Sequence, residues 1–121
     1  MKAEICRADP SHESLTHENC FILELANDPG DPDVSIAQAR VLPGVTTEWH
    51  RVKDIDERYV IVRGKGKVEV GDLPPAGVSE GDVVRIPANT PQRITNVGEE
   101  DLVFFCVCSP RFVLSAYVTG R

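Results

Sequence analysis

GVTTEWHRVKDIDERYVIVRGKG, residues Gly44 to Gly66, reads as two extended runs joined by a charged turn. Pro43-Gly44 is a turn signal, and the run from Thr46 to Arg51 is extended and carries one histidine, His50. A charged turn, Lys53-Asp54-Ile55-Asp56, leads into a second extended run from Glu57 to Arg63, closed by Gly64-Lys65-Gly66. Two strands joined by a polar turn place His50 and Glu57 on neighbouring backbones. When both face one side, an imidazole and a carboxylate converge, which is what metal binding or proton transfer requires.

Outward from this pair, strand follows strand. Val34–Leu42 is extended and stops at Pro43-Gly44, and Lys67–Val70 alternates polar and apolar as a half-buried strand does. Asp82–Ile86, Gln92–Val97 and Leu102–Cys108 are three further strands, and Gly71–Gly77 reads as a loop. Upstream, Cys20–Ala26 reads as a strand and Met1–Arg7 as a short edge strand, with Asp9-Pro10-Ser11 as a turn or helix start. The tail, Phe112–Val118, is compatible with a final strand or a short helix. Many short strands with regular turn signals and no helical period predict an all-β sandwich or barrel. At 121 residues the expectation is one domain over 1–121, with its core in 34–110.

Composition narrows the function classes. Hydrophobic content of 41% and charged content of 26% are ordinary for a globular chain. A net charge of −6 argues against nucleic acid or an anionic membrane surface as partner, since both call for a basic face. No apolar run approaches the roughly 20 residues that span a bilayer, and the first residues carry no apolar stretch of signal-peptide length, so a cytoplasmic location is expected. Cys6, Cys20, Cys106 and Cys108 have no CxxC spacing, and Cys106 and Cys108 share one strand face, where a disulfide fits poorly. Free thiols in a reducing compartment are the expectation. His12 and His17 lie in a polar stretch without ligand spacing and read as surface residues.

Two motifs carry a resemblance. The stretch Gly44-x5-His50-x-Val52-x4-Glu57-x6-Gly64 resembles the first motif of the cupins, Gly-x5-His-x-His-x(3,4)-Glu-x6-Gly, with Val52 at the second histidine. Gly81-x5-Pro87-x-Asn89-x2-Gln92-x3-Asn96 resembles their second motif, Gly-x5-Pro-x-Gly-x2-His-x3-Asn, with Gln92 at its histidine. Asn89 stands for a glycine, and asparagine also enters the left-handed backbone region readily. The resemblance spans about Val34 to Pro110. It implies a small double-stranded β-helix, a jelly-roll barrel with one cavity, often found as a homodimer.

Parity then sorts the side chains. If His50 faces the cavity, so do Glu48 and Val52; the Glu57 strand contributes Tyr59 and Ile61, and the Gln92 strand Ile94. Asn96 is expected to turn toward the loop that follows it. Val60 and Val62 face the opposite side and want a cover, from the N-terminal strand or from a second subunit. Cys106 lines the cavity if its strand face is the inner one, and Arg40, Arg63 or Arg93 would serve an anionic ligand if one reached the mouth.

The resemblance implies a divalent metal held by three histidines and a glutamate, positions filled here by His50, Val52, Gln92 and Glu57. His50, Glu57 and Gln92 are therefore the candidate ligands for zinc, nickel, manganese or iron, at low occupancy, with Glu48 the nearest further carboxylate. The alternative is a hydrogen-bonded polar cluster in a metal-free cavity. Three functions stay open: a metal-dependent isomerase or oxygenase acting on a small polar metabolite, a metal-free small-molecule binder or sensor, and a structural dimer without chemistry.

Overall fold

Alternation along the strands builds the core. In the computed structural model, which describes residues 1–121, Glu57, Tyr59 and Ile61 are the buried residues of their strand, and Gln92, Ile94 and Asn96 those of theirs. Eleven strands run β1 (Ser14–Leu15), β2 (Phe21–Ala26), β3 (Ser35–Val41), β4 (His50–Val52), β5 (Asp56–Arg63), β6 (Lys65–Val70), β7 (Ala76–Ser79), β8 (Val83–Ile86), β9 (Gln92–Asn96), β10 (Leu102–Ser109) and β11 (Tyr117–Thr119). Two single-turn 3-10 helices, Pro10–His12 and Leu114–Ala116, are the only helical pieces. The strands form two sheets, one of six in the order β1-β2-β3-β10-β5-β8 and one of five in the order β11-β4-β9-β6-β7. All pairings are antiparallel. The inner faces pack on one main cluster of eleven buried residues, in which Val41, Ile61, Ile86, Ile94 and Leu102 are all but inaccessible. A smaller cluster, Val52, Ile55, Cys108 and Ala116, lies beside His50 and Glu57.

The tail uses both of its options, a 3-10 turn followed by β11. Three expectations are corrected. Met1–Arg7 forms no strand, because the free edge of β2 is taken by Ser14–Leu15 through a tight turn in which Thr16 bonds the Cys20 carbonyl with both its amide and its hydroxyl. Ala76 and Gly77 are not loop but open strand β7, whose exposed edge position needs no apolar alternation. Residues 46–49 are not continuous strand, because their backbone is shared between neighbours. Thr46 bridges Thr95, Thr47 donates to the Ile94 carbonyl, and Glu48 donates to the Glu18 carbonyl.

The turns hold as their residues require. Gly64 has φ +90°, and a Cβ there would meet the Asp101 carbonyl oxygen at 2.9 Å. Asn89 takes φ +67° in the glycine position of the second motif, and its side chain accepts from the Asp54 amide. Asn96 is fully buried. Its amide donates to the carbonyls of Val41 and Glu100 while its oxygen accepts from Gly98, so it pins the loop after β9 without leaving the interior.

Ile94 sits at the centre of the main cluster. Ile94→Ala is expected to lower the unfolding free energy by about 2–5 kcal/mol, whereas Val97→Ala, on the exposed loop, should change it by no more than about 0.5 kcal/mol. Urea denaturation of both variants checks this; equal losses would place the core elsewhere.

Candidate functional site

A cavity of about 80 Å³ opens between the inner faces of β2, β3, β5 and β10 and the end of the smaller sheet at β4 and β11. It has room for about three waters or a molecule of about four heavy atoms. His50 and Glu57 both line it, with Val52, Tyr59 and Cys106. Gln92 is buried beside them, directly opposite His50 where β4 meets β9, but stands behind the wall rather than on it. Ile61 and Ile94 face inward as alternation requires, yet belong to the apolar core and not to the cavity lining. Glu48 does not line it either. The shared backbone of residues 46–49 breaks strict alternation, so that Thr47 takes the inner place.

What Glu48 supplies is its carbonyl. His50 Nδ1 lies 2.9 Å from the Glu48 oxygen, and a carbonyl only accepts, so Nδ1 carries the proton. In the neutral ring this leaves Nε2 as an acceptor with no protein partner. The imidazole is fixed further by stacking on Tyr117, with ring centroids 4.7 Å apart at 17°, and Tyr117 is met edge-on by the exposed His17.

Glu57 is 7% exposed, and its Oε1 has no hydrogen-bond partner. Its Oε2 accepts from the Cys108 thiol at 3.7 Å. Burial raises its pKa, with His50 and Gln92 pulling the other way. The neighbour best placed to help is already committed: the Tyr59 hydroxyl donates to Gln92 Oε1. Tyr59, Cys106 and Cys108 are all shifted upward by burial, with Glu57 adding to the effect, so these groups stay protonated.

The remaining wall comes from regions with no motif. Cys20, Ile22 and Glu24 of the β2 segment, Glu18 before it, Phe112 and Tyr117 all line the cavity. All four cysteines are free thiols, and three of them line the site. No arginine does. Arg40 pairs with Glu13 and Asp101, and Arg93 pairs with Glu69 and lies over Trp49, 4.5 Å from the ring centroid.

The donor set can be tested against a metal. Val52 offers nothing, and the one ligating atom of Gln92 already accepts from Tyr59. His50 Nε2 and Glu57 Oε1 are the two free strong donors, and no group of three or more His, Cys, Asp or Glu side chains is arranged to hold an ion. These residues do not make a resident-metal site.

Residues 37–108 match the family model of the cupin domain. The chain is a cupin. Over 78 residues it is 33% identical to the uncharacterized protein MJ1618 of Methanocaldococcus jannaschii, a match spanning 64% of this chain and 62% of that protein. Among solved structures it resembles KdgF from Halomonas sp., with a TM-score of 0.77 at 19% identity over 92% of this chain and 96% of that one. It also resembles an uncharacterized double-stranded β-helix protein from Klebsiella pneumoniae, with a TM-score of 0.76 at 12% identity over 93% of both chains. These likenesses establish the double-stranded β-helix fold of this cupin. No helix in it is long and apolar enough to cross a membrane.

The upward shift of Glu57 has a consequence for stability. The folded state holds the carboxyl proton more tightly than the unfolded state does, so stability is fully present below the unfolded pKa of about 4.3 and declines as pH rises through the folded one. Glu57→Gln keeps the shape and removes the charge. Urea titrations from pH 4 to pH 8 are expected to show the variant gaining on the wild type as pH rises; a constant difference would mean that Glu57 is not strained by its burial.

Proposed function

We propose that this cupin binds a small polar molecule in the cavity, held directly by His50 and Glu57 and without a resident transition metal. The observation that carries the reading is the buried, partnerless Oε1 of Glu57, a residue of the cavity wall, together with the free Nε2 of His50 on the same wall. Leaving such an atom unsatisfied costs about 1–3 kcal/mol, and a ligand that donates to it recovers that amount. The wall of Tyr59, Phe104, Phe112 and Tyr117 supplies the apolar contact that small-molecule sites usually have. His50 and Glu57 also have the chemistry of a proton-transfer pair, so a bound substrate with an acidic C–H or O–H would lie where a base can reach it.

A second reading keeps a weakly held divalent ion on His50, Glu57 and Gln92. What favours it is the tautomer of His50, which turns an unprotonated nitrogen toward the cavity. The two readings separate by experiment. In protein stripped with chelator, a fragment screen followed by amide NMR is expected to give ligands that perturb His50, Glu57, Cys106 and Cys108. His50→Ala and Glu57→Ala should each weaken binding by about tenfold or more. Perturbations confined to residues outside the cavity would contradict the proposal. Binding that appears only with added zinc or nickel, and tightens in Gln92→His, would put the metal reading in its place.

We further propose a homodimer formed through the outer face of the six-stranded sheet. There Val60 pairs across strands with Val83 on one side and Phe105 on the other, and Val62 and Val83 are exposed. β1 and β2 extend the sheet at its edge beyond β3 and so leave the β5–β8 end of this face uncovered. Light scattering should give twice the 13.3 kDa chain mass for the wild type and a single chain mass for Val60→Lys. A wild-type monomer at high micromolar concentration would contradict it.

A further inference from the structure

Carboxylates and an imidazole dominate the polar wall of the cavity, and the Tyr117 hydroxyl is a partnerless neutral donor on it. His50 Nε2 is an acceptor, Glu57 Oε1 is an acceptor, and Glu18 and Glu24 add carboxylates to the same wall, Glu24 at the exposed mouth. No lysine or arginine contributes to the lining. The protein donors nearby are neutral and partly committed, as with Tyr59, which gives its proton to Gln92. An anion placed here would meet three carboxylates and no charged donor. A cation with N–H groups would satisfy Glu57 Oε1 and His50 Nε2 together and lie against the ring of Tyr117.

From this we infer that the occupant of the cavity is a small organic cation bearing N–H donors, an amidinium or a protonated amine of about four heavy atoms or fewer, and that the site rejects small carboxylates. The inference rests on the cavity being a ligand site, as proposed above, and adds the charge class of its ligand. Its strongest support is independent of the count of acidic groups. The partnerless oxygen of Glu57 belongs to a side chain that is 7% exposed, with the Cys108 thiol on its other oxygen.

Acetamidinium, acetamide and acetate form a test series of nearly constant shape whose charge runs from positive through neutral to negative. Each is titrated at pH 7.5, with chelator present, into the full chain, and binding is read from the amide shifts of His50, Glu57 and Cys108. Acetamidinium is expected to bind at least about a hundredfold more tightly than acetate, with acetamide between them. In Glu57→Gln, whose fold is checked by its own urea curve, acetamidinium should weaken by about tenfold or more while acetamide changes little. Acetate binding as tightly as acetamidinium, or an acetamidinium affinity unchanged in Glu57→Gln, would overturn the charge assignment and leave the binding site standing. If none of the three shifts the cavity residues, the binding-site reading falls as well.

Discussion

A carboxyl group taken out of water with no lysine or arginine beside it is the constraint around which this barrel is arranged. Alternation along β5 puts Glu57 on the same face as Tyr59 and Ile61, so the strand that builds the core must also bury an acid. The groups that would ordinarily satisfy it are spoken for. Tyr59 donates to Gln92, His50 turns its proton to the Glu48 carbonyl, and Arg40 and Arg93 are held in ion pairs elsewhere. The Cys108 thiol reaches one of the two carboxylate oxygens. Each of these commitments leaves Glu57 Oε1 without a donor.

That division of labour separates the parts of the molecule that stabilise it from the parts that can act. The eleven-residue cluster around Ile61, Ile94 and Leu102 supplies the apolar burial, and the Asn96 network locks the loop after β9. The cavity lies at one end of this core, where β4 is joined to β9 by a single residue pair and β11 covers β4 from the far edge. A short strand held by few backbone bonds is a place where local opening is least costly.

Much of this was legible in the sequence. The two motifs bring His50, Glu57 and Gln92 together, but not on neighbouring backbones as a hairpin reading expects. His50 and Gln92 face each other on paired β4 and β9, while Glu57 comes from β5 of the other sheet. The left-handed turn at Asn89 follows from the residue type. Simple parity failed at Glu48, because residues 46–49 bond to three different segments and a period of two holds only along a continuous ladder. It also overstated Ile61 and Ile94, since pointing inward does not distinguish the cavity from the core beneath it. The wall given by Glu18, Cys20, Glu24, Phe112 and Tyr117 was not found, because these residues come from segments far from either motif. One signal for it was present: Glu24 interrupts the apolar run Phe21-Ile22-Leu23-Glu24-Leu25-Ala26 at the same parity as Cys20 and Ile22. A charge on the inner face of a strand marks a cavity or its mouth.

The most direct test of the unpaired acid at the centre of this account is a carbon-13 NMR titration of the glutamate side-chain carboxyls in metal-free protein, with Glu57 assigned by its loss in Glu57→Gln. The account predicts a Glu57 midpoint above the ordinary glutamate value of about 4.3, moving down when a small N–H cation fills the cavity. A midpoint at or below the ordinary value, unmoved by any occupant, would mean that Glu57 already has a partner and would contradict it.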